Sequence, residues 1–97
     1  MNQGIPVPRC HATLQIRNRL GLHARAAAKV VSVASRHEAR IILSVAQRHA
    51  DAKSIMALLT LAAAQGTEVE VCAEGAEADA AMAELADLFA RRFDEAE

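Results

Sequence analysis

Between Thr67 and Ala73 the chain alternates: Val69, Val71 and Ala73 fall on one side, Glu68, Glu70 and Cys72 on the other. A period of two is that of a β-strand, whose successive side chains point to opposite faces. One apolar face and one charged face imply a sheet covered on one side and wet on the other. Cys10 to Arg17 repeats the pattern, with Ala12, Leu14 and Ile16 opposite His11, Thr13, Gln15 and Arg17. Arg40 to Val45 is apolar and rich in branched residues, a further strand. Gln47 to Asp51 reads as a short polar edge strand.

Helical spacing fills the gaps between these strands. From Ala24 to about Ser35, Ala27, Val30, Val31 and Ala34 form the stripe of an amphipathic helix. Ser54 is placed to cap a second helix, with Ile55, Leu58, Leu59 and Ala62 inward and Gly66 as its stop. The longest helix is expected over Ala76 to Phe93, burying Ala78, Ala81, Met82, Leu85, Leu88 and Phe89. The order β-α-β-β-α-β-α predicts an α+β open-faced β-sandwich: a mainly antiparallel four-stranded sheet with three helices on one face.

A chain of 97 residues supports one modest core. Residues 1–9, with two prolines and a glycine, are expected to be a flexible leader, and residues 10–97 the domain. About half of the residues are apolar, much of that alanine, and Phe89 and Phe93 are the aromatics, so the core is thin. No apolar run approaches the ~20 residues needed to cross a bilayer. The beginning shows no basic segment followed by an apolar stretch, which argues against a secretory signal. Cys10 and Cys72 match neither a metal-ligand spacing nor a disulfide framework. The expectation is a cytoplasmic protein with no metal and no cofactor.

Charge is unevenly spread. Met1 to Lys53 holds nine basic and two acidic residues, Ser54 to Glu97 two basic and ten acidic. The basic half would favour a partner with an acidic face. Nucleic acid fits poorly, because the chain has no Tyr or Trp for stacking, no Lys/Arg cluster and a net charge of −1.

The segment Leu20-Gly21-Leu22-His23-Ala24-Arg25 sets a histidine and an arginine where a turn becomes a helix. Unpaired N–H groups and the positive end of the helix dipole favour an anion there. A neutral imidazole at that place has a lone pair that can accept a phosphoryl group and pass it on. His23 is therefore the candidate carrier. Arg25 would neutralise phosphoryl oxygens, the N–H groups of Ala24 and Arg25 would add fixed donors, and Asn18 would orient the turn. His11, His37 and His49 lack an arginine at comparable spacing and are expected to be exposed.

These residues resemble the HPr family, the histidine-containing phosphocarriers of the bacterial phosphotransferase system. Gly21-Leu22-His23-Ala24-Arg25 is similar to the family's phosphorylation-site motif. Lys53-Ser54-Ile55-Met56-Ala57-Leu58-Leu59-Thr60-Leu61 is similar to its second signature, around a regulatory serine, at the family's spacing. The resemblance runs from about Thr13 to Phe93, and it implies the same fold. It also implies a phosphohistidine on the Nδ1 nitrogen, which the residues alone do not choose. The donor it implies is enzyme I charged by phosphoenolpyruvate, and the acceptor an enzyme IIA protein. One departure is Ala26, where the family usually carries a proline that stiffens the helix start.

In one branch of the family the serine matching Ser54 is phosphorylated by an ATP-dependent kinase. Phosphate there would repel an acidic partner. Met56, Thr60 and Leu61 are left facing solvent by the expected phase of the second helix, as an adaptable docking surface. Leu88 to Glu95 and Ser54 to Leu59 look more like the nitrogen-related carrier (NPr) than the sugar-uptake carrier. Two other classes stay open. One is an HPr-like binding module that regulates partners by docking without phosphotransfer. The other is a small α+β enzyme with His23 as a base, which lacks a second acid or nucleophile beside that residue.

Overall fold

A computed structural model describes residues 7–97. Its elements are β1 (Arg9–Gln15), α1 (Ala24–Ser35), β2 (Arg40–Val45), β3 (Arg48–Asp51), α2 (Ile55–Leu59), β4 (Glu68–Glu74) and α3 (Ala78–Ala90), followed by a 3-10 turn at Arg92–Asp94. The strands form one sheet in the order β1-β4-β2-β3, and every pairing is antiparallel. Opposite Val71 stand Ala12 on β1 and Leu43 on β2, so the apolar sides of three strands coincide. That shared face meets the helices: α3 lies on β1 and β4, and α1 packs against α2 and α3. Val30, Ile41, Leu43, Val69, Val71, Leu85 and Phe89 are among the buried residues that join the two layers. The open-faced α+β sandwich follows from each layer having one apolar side.

The expected leader, residues 1–9, overlaps the first strand at its last residue. Residues 1–6 of it lie outside the described residues. Pro8 already accepts a hydrogen bond from the Gly75 N–H, and Arg9 is the first residue of β1, paired with Glu74.

The second helix departs from its expected phase. It stops at Leu59, because the following N–H groups reach back three residues: Thr60 to Ala57 O, Leu61 to Leu58 O and Ala62 to Leu59 O. The Thr60 hydroxyl also donates to Ala57 O at 2.6 Å. Ala62 then adopts a φ of +50°, ending the helix well before Gly66. A three-residue turn puts residues 58 and 61 on one side. Leu58 and Leu61 are accordingly buried, whereas Ile55, Leu59 and Ala62 are exposed. Leu61 is thus a core residue and not part of any docking surface.

The last helix is shorter too. It ends at Ala90, and Arg92, Phe93 and Asp94 all take left-handed φ values of +58°, +53° and +66°. Each such residue costs roughly 1–2 kcal/mol when it is not glycine. Phe93 holds the turn, buried edge-on against Phe89 with ring centroids 4.9 Å apart. Lys29 Nζ donates to the Phe93 carbonyl at 2.6 Å. The chain is thereby turned back toward the loop that precedes α1.

Candidate functional site

The loop from Asn18 to Leu22 is fixed before α1 begins. The Gly21 N–H donates to Asn18 O, and Asn18 Nδ2 donates to Gly21 O at 2.7 Å. Gly21 sits at φ +71°, and a β-carbon there would lie 2.5 Å from Ala63 O. That same carbonyl accepts the Leu22 N–H at 2.8 Å, so the loop is tied to the segment after α2. Glycine is required by both backbone angle and close approach.

His23 follows as the N-cap residue of α1, with extended backbone and a ring that makes no capping bond to its own helix. Its carbonyl accepts the Ala27 N–H, the first bond of the helix. The N–H groups of Ala24, Arg25 and Ala26 precede that bond and have no helical acceptor. Ala26 is fully buried, and unlike proline it keeps its N–H. The His23 side chain is 25% exposed, so the ring is neither in the core nor free in solvent.

A residue the sequence did not point to completes the site. Glu95 Oε2 meets His23 Nε2, and Glu95 Oε1 accepts from Asn18 Nδ2 at 2.8 Å. The Glu95 side chain is 15% exposed. Burial pushes its carboxyl up, but hydrogen bonds from Asn18 and His23 and the charges of His23 and Arg25 outweigh this and hold it below the usual range. An ionised carboxylate only accepts, so the proton of this contact sits on Nε2. Among the described residues, nothing hydrogen-bonds His23 Nδ1.

Arg25 is exposed in the first turn of α1 and lines a shallow depression with Arg19, Lys29, Asp94, Glu95 and Glu97. Arg19 Nε pairs with Glu97 at 2.8 Å, and Lys29 lies 3.6 Å from Asp94. Part of the basic charge expected to await an acidic partner is therefore met from within, by the acidic end of the chain. The unequal charge of the two halves was the one sequence signal of this tail. Spacing offered none, since 72 positions separate His23 from Glu95.

The other sequence-selected residues lie nearby on α2 or apart. Ser54 caps α2, its Oγ accepting the Ala57 N–H at 3.1 Å. Met56 is 76% exposed and Thr60 is exposed, and Ile55, Leu59 and Leu20 add apolar surface that the expected helix phase had hidden or omitted. His37 is not exposed as expected. Its ring is 10% exposed, held by Glu77 at 3.1 Å and Glu84 at 2.5 Å. His11 pairs with Glu70 at 2.9 Å, and His49 with Ser44 at 2.7 Å, both on the surface. A broader depression, lined by Arg9, His11, Arg40, Ile42, Cys72 and Glu74, lies at the start of β1, the end of the strand away from His23. No helix among the described residues is long and apolar enough to cross a membrane.

Comparison with known proteins agrees with this geometry. The sequence model described as "PTS HPr component phosphorylation site" matches residues 10–91. A phosphocarrier protein HPr from Xylella fastidiosa is 45% identical over 82 residues, spanning 84% of this chain and 92% of that protein. A phosphocarrier protein NPr from Shewanella violacea is 40% identical over 81 residues, spanning 84% of this chain and 89% of that protein. Among solved structures, an HPr from Thermoanaerobacter tengcongensis superposes with a TM-score of 0.87 at 36% identity, covering 91% of this chain and 99% of the other. Fold and site together define a small phosphocarrier of the phosphotransferase system. The chain belongs to the HPr family.

Proposed function

We propose that His23 accepts a phosphoryl group from enzyme I charged by phosphoenolpyruvate and passes it to an enzyme IIA protein. The carrying observation is the place of the ring: partly exposed at the start of α1, bonded through Nε2 and, among the described residues, not through Nδ1. The Nδ1 lone pair attacks phosphorus and a phosphorus–nitrogen bond forms. The bond from phosphorus to the donor breaks, and the donor atom keeps that electron pair. No proton moves at Nδ1; the positive charge gained by the ring is shared with Nε2–H. Arg25 and the N–H groups of Ala24, Arg25 and Ala26 hold the phosphoryl oxygens, a matter of positioning and charge. Docking uses Ile55, Met56 and Leu59 on α2 and Thr60 at its end, together with Leu20.

The system served is the nitrogen-related branch, a reading supported by the Leu88 to Glu95 and Ser54 to Leu59 segments. Phosphate on Ser54, added by a serine kinase, would set nearly two negative charges beside the docking surface and slow acceptance. The test is a relay assay. Incubation with phosphoenolpyruvate and enzyme I should leave an acid-labile, base-stable phosphate that His23→Ala abolishes. Adding an enzyme IIA of the nitrogen-related or of the sugar-uptake branch should then remove the label selectively. A wild-type chain that takes up no label would leave docking without phosphotransfer as its role.

A further inference from the structure

We infer that Glu95 is a positioning residue for phosphotransfer, fixing the His23 proton on Nε2 so that the attacking lone pair stays on Nδ1. The inference rests on the phosphocarrier reading above and adds a residue to it. Three observations carry it. The carboxylate contacts Nε2 directly, and it is only 15% exposed, so solvent screens the pair incompletely. Glu95 is also held from both sides along the chain. Asp94 bonds to Arg91 at 2.7 Å, and Glu97 is gripped by the Arg19 backbone N–H at 2.9 Å and by its side chain. Finally, the other carboxylate oxygen is engaged by Asn18, a buried residue whose amide is itself locked onto Gly21. The left-handed turn at Arg92 to Asp94, anchored by Phe93, is what brings this tail to the loop.

Asn18 makes the arrangement sensitive to one atom. Its Nδ2 can only donate, so it demands an acceptor from residue 95. A carboxylate satisfies Asn18 and His23 together, because both of its oxygens accept. A glutamine can satisfy Asn18 with its oxygen only by turning its NH2 group toward His23. That group would donate to Nε2 and drive the ring proton to Nδ1, where it blocks attack. Glu95→Gln is therefore expected to impair the site more than Glu95→Ala, which merely frees the ring. A role confined to holding the fold predicts the reverse order, since glutamine is the closer replacement.

The test uses the full chain in two assays. Long-range nitrogen–proton NMR of the unphosphorylated protein reads which ring nitrogen of neutral His23 bears hydrogen. We expect Nε2–H in the wild type and a shift toward Nδ1–H in Glu95→Gln. Rapid-quench labelling then compares acceptance rates. Loss of an oriented charged hydrogen bond should slow Glu95→Ala about tenfold, with Glu95→Gln slower again by several-fold. A wild-type proton on Nδ1, or a Glu95→Gln variant as fast as wild type, overturns the inference. A wild-type chain that is never labelled defeats the phosphocarrier reading instead, and the NMR result still decides whether Glu95 sets the tautomer.

Discussion

Replacing Gly21 by alanine tests how the loop seats His23. The added β-carbon would lie 2.5 Å from Ala63 O and 3.0 Å from Ala64 Cα, both backbone atoms that cannot rotate away. The residue must also hold φ at +71°, which costs an L-residue roughly 1–2 kcal/mol. Relieving the clash moves the carbonyl that accepts the Leu22 N–H, forfeiting a further ~0.5–1.5 kcal/mol. The expected destabilisation is therefore about 2–4 kcal/mol once some overpacking is added. For a domain of this size that lowers Tm by on the order of 10–25 °C. Gly66→Ala is the control: φ is +90°, but nothing lies within 4 Å of its added β-carbon, so only the backbone cost applies. Thermal melts followed by circular dichroism measure both. Equal losses in the two variants, or a drop of under 3 °C or so for Gly21→Ala, would refute the close-approach argument.

Leu61→Ala should behave as a core deletion like Leu58→Ala, losing about 2–5 kcal/mol in urea titrations. Met56→Ala should stay within ~0.5 kcal/mol of wild type yet slow transfer to or from a partner; wild-type stability for Leu61→Ala would reinstate the surface placement. Ser54→Ala should lose about 1 kcal/mol through the missing cap on the Ala57 N–H, and Ser54→Glu should weaken enzyme I binding, as read by calorimetry. Unchanged affinity would remove the electrostatic reading of Ser54. Acid stability has a definite sign. Hydrogen bonds from Arg36 and His37 hold Glu84 below its usual range, Arg91 does the same for Asp94, and Glu95 is lowered against its burial. These groups contribute fully above their unfolded values of about 4, and that stability is lost as pH falls through the lower folded values. Melts from neutral pH downward should decline in Tm below roughly pH 4, less steeply in Glu84→Gln; a flat profile would contradict these pairings.

The parts legible in the sequence are those whose signal is local. The alternation of Val69, Val71 and Ala73 with Glu68, Glu70 and Cys72 foretells β4 and its open face, and α1 occupies the range read from its apolar stripe. The position of His23 and Arg25 at the start of α1 was readable because a turn, a glycine and a helix start are all encoded within a few residues. What was not legible depends on geometry made elsewhere. The phase beyond α2 changed because three-residue turns and the left-handed Ala62 replaced the 3.6-residue repeat, moving Leu61 inward and Ala62 outward, and Ile55 and Leu59 are exposed as well. Three consecutive left-handed residues without glycine have no sequence signature, so the bend that carries Glu95 to His23 was hidden. His37 was misplaced for the same reason, its two carboxylate partners lying on or beside α3, far along the chain.

The most direct check is to locate the phosphoryl group itself. After incubation with phosphoenolpyruvate and enzyme I, phosphorus and nitrogen NMR of ring-labelled protein should show one phosphorus–nitrogen bond, at Nδ1 of His23, and none in His23→Ala. A phosphoryl group on Nε2, on His11, His37 or His49, or retained in the His23→Ala chain would contradict the account.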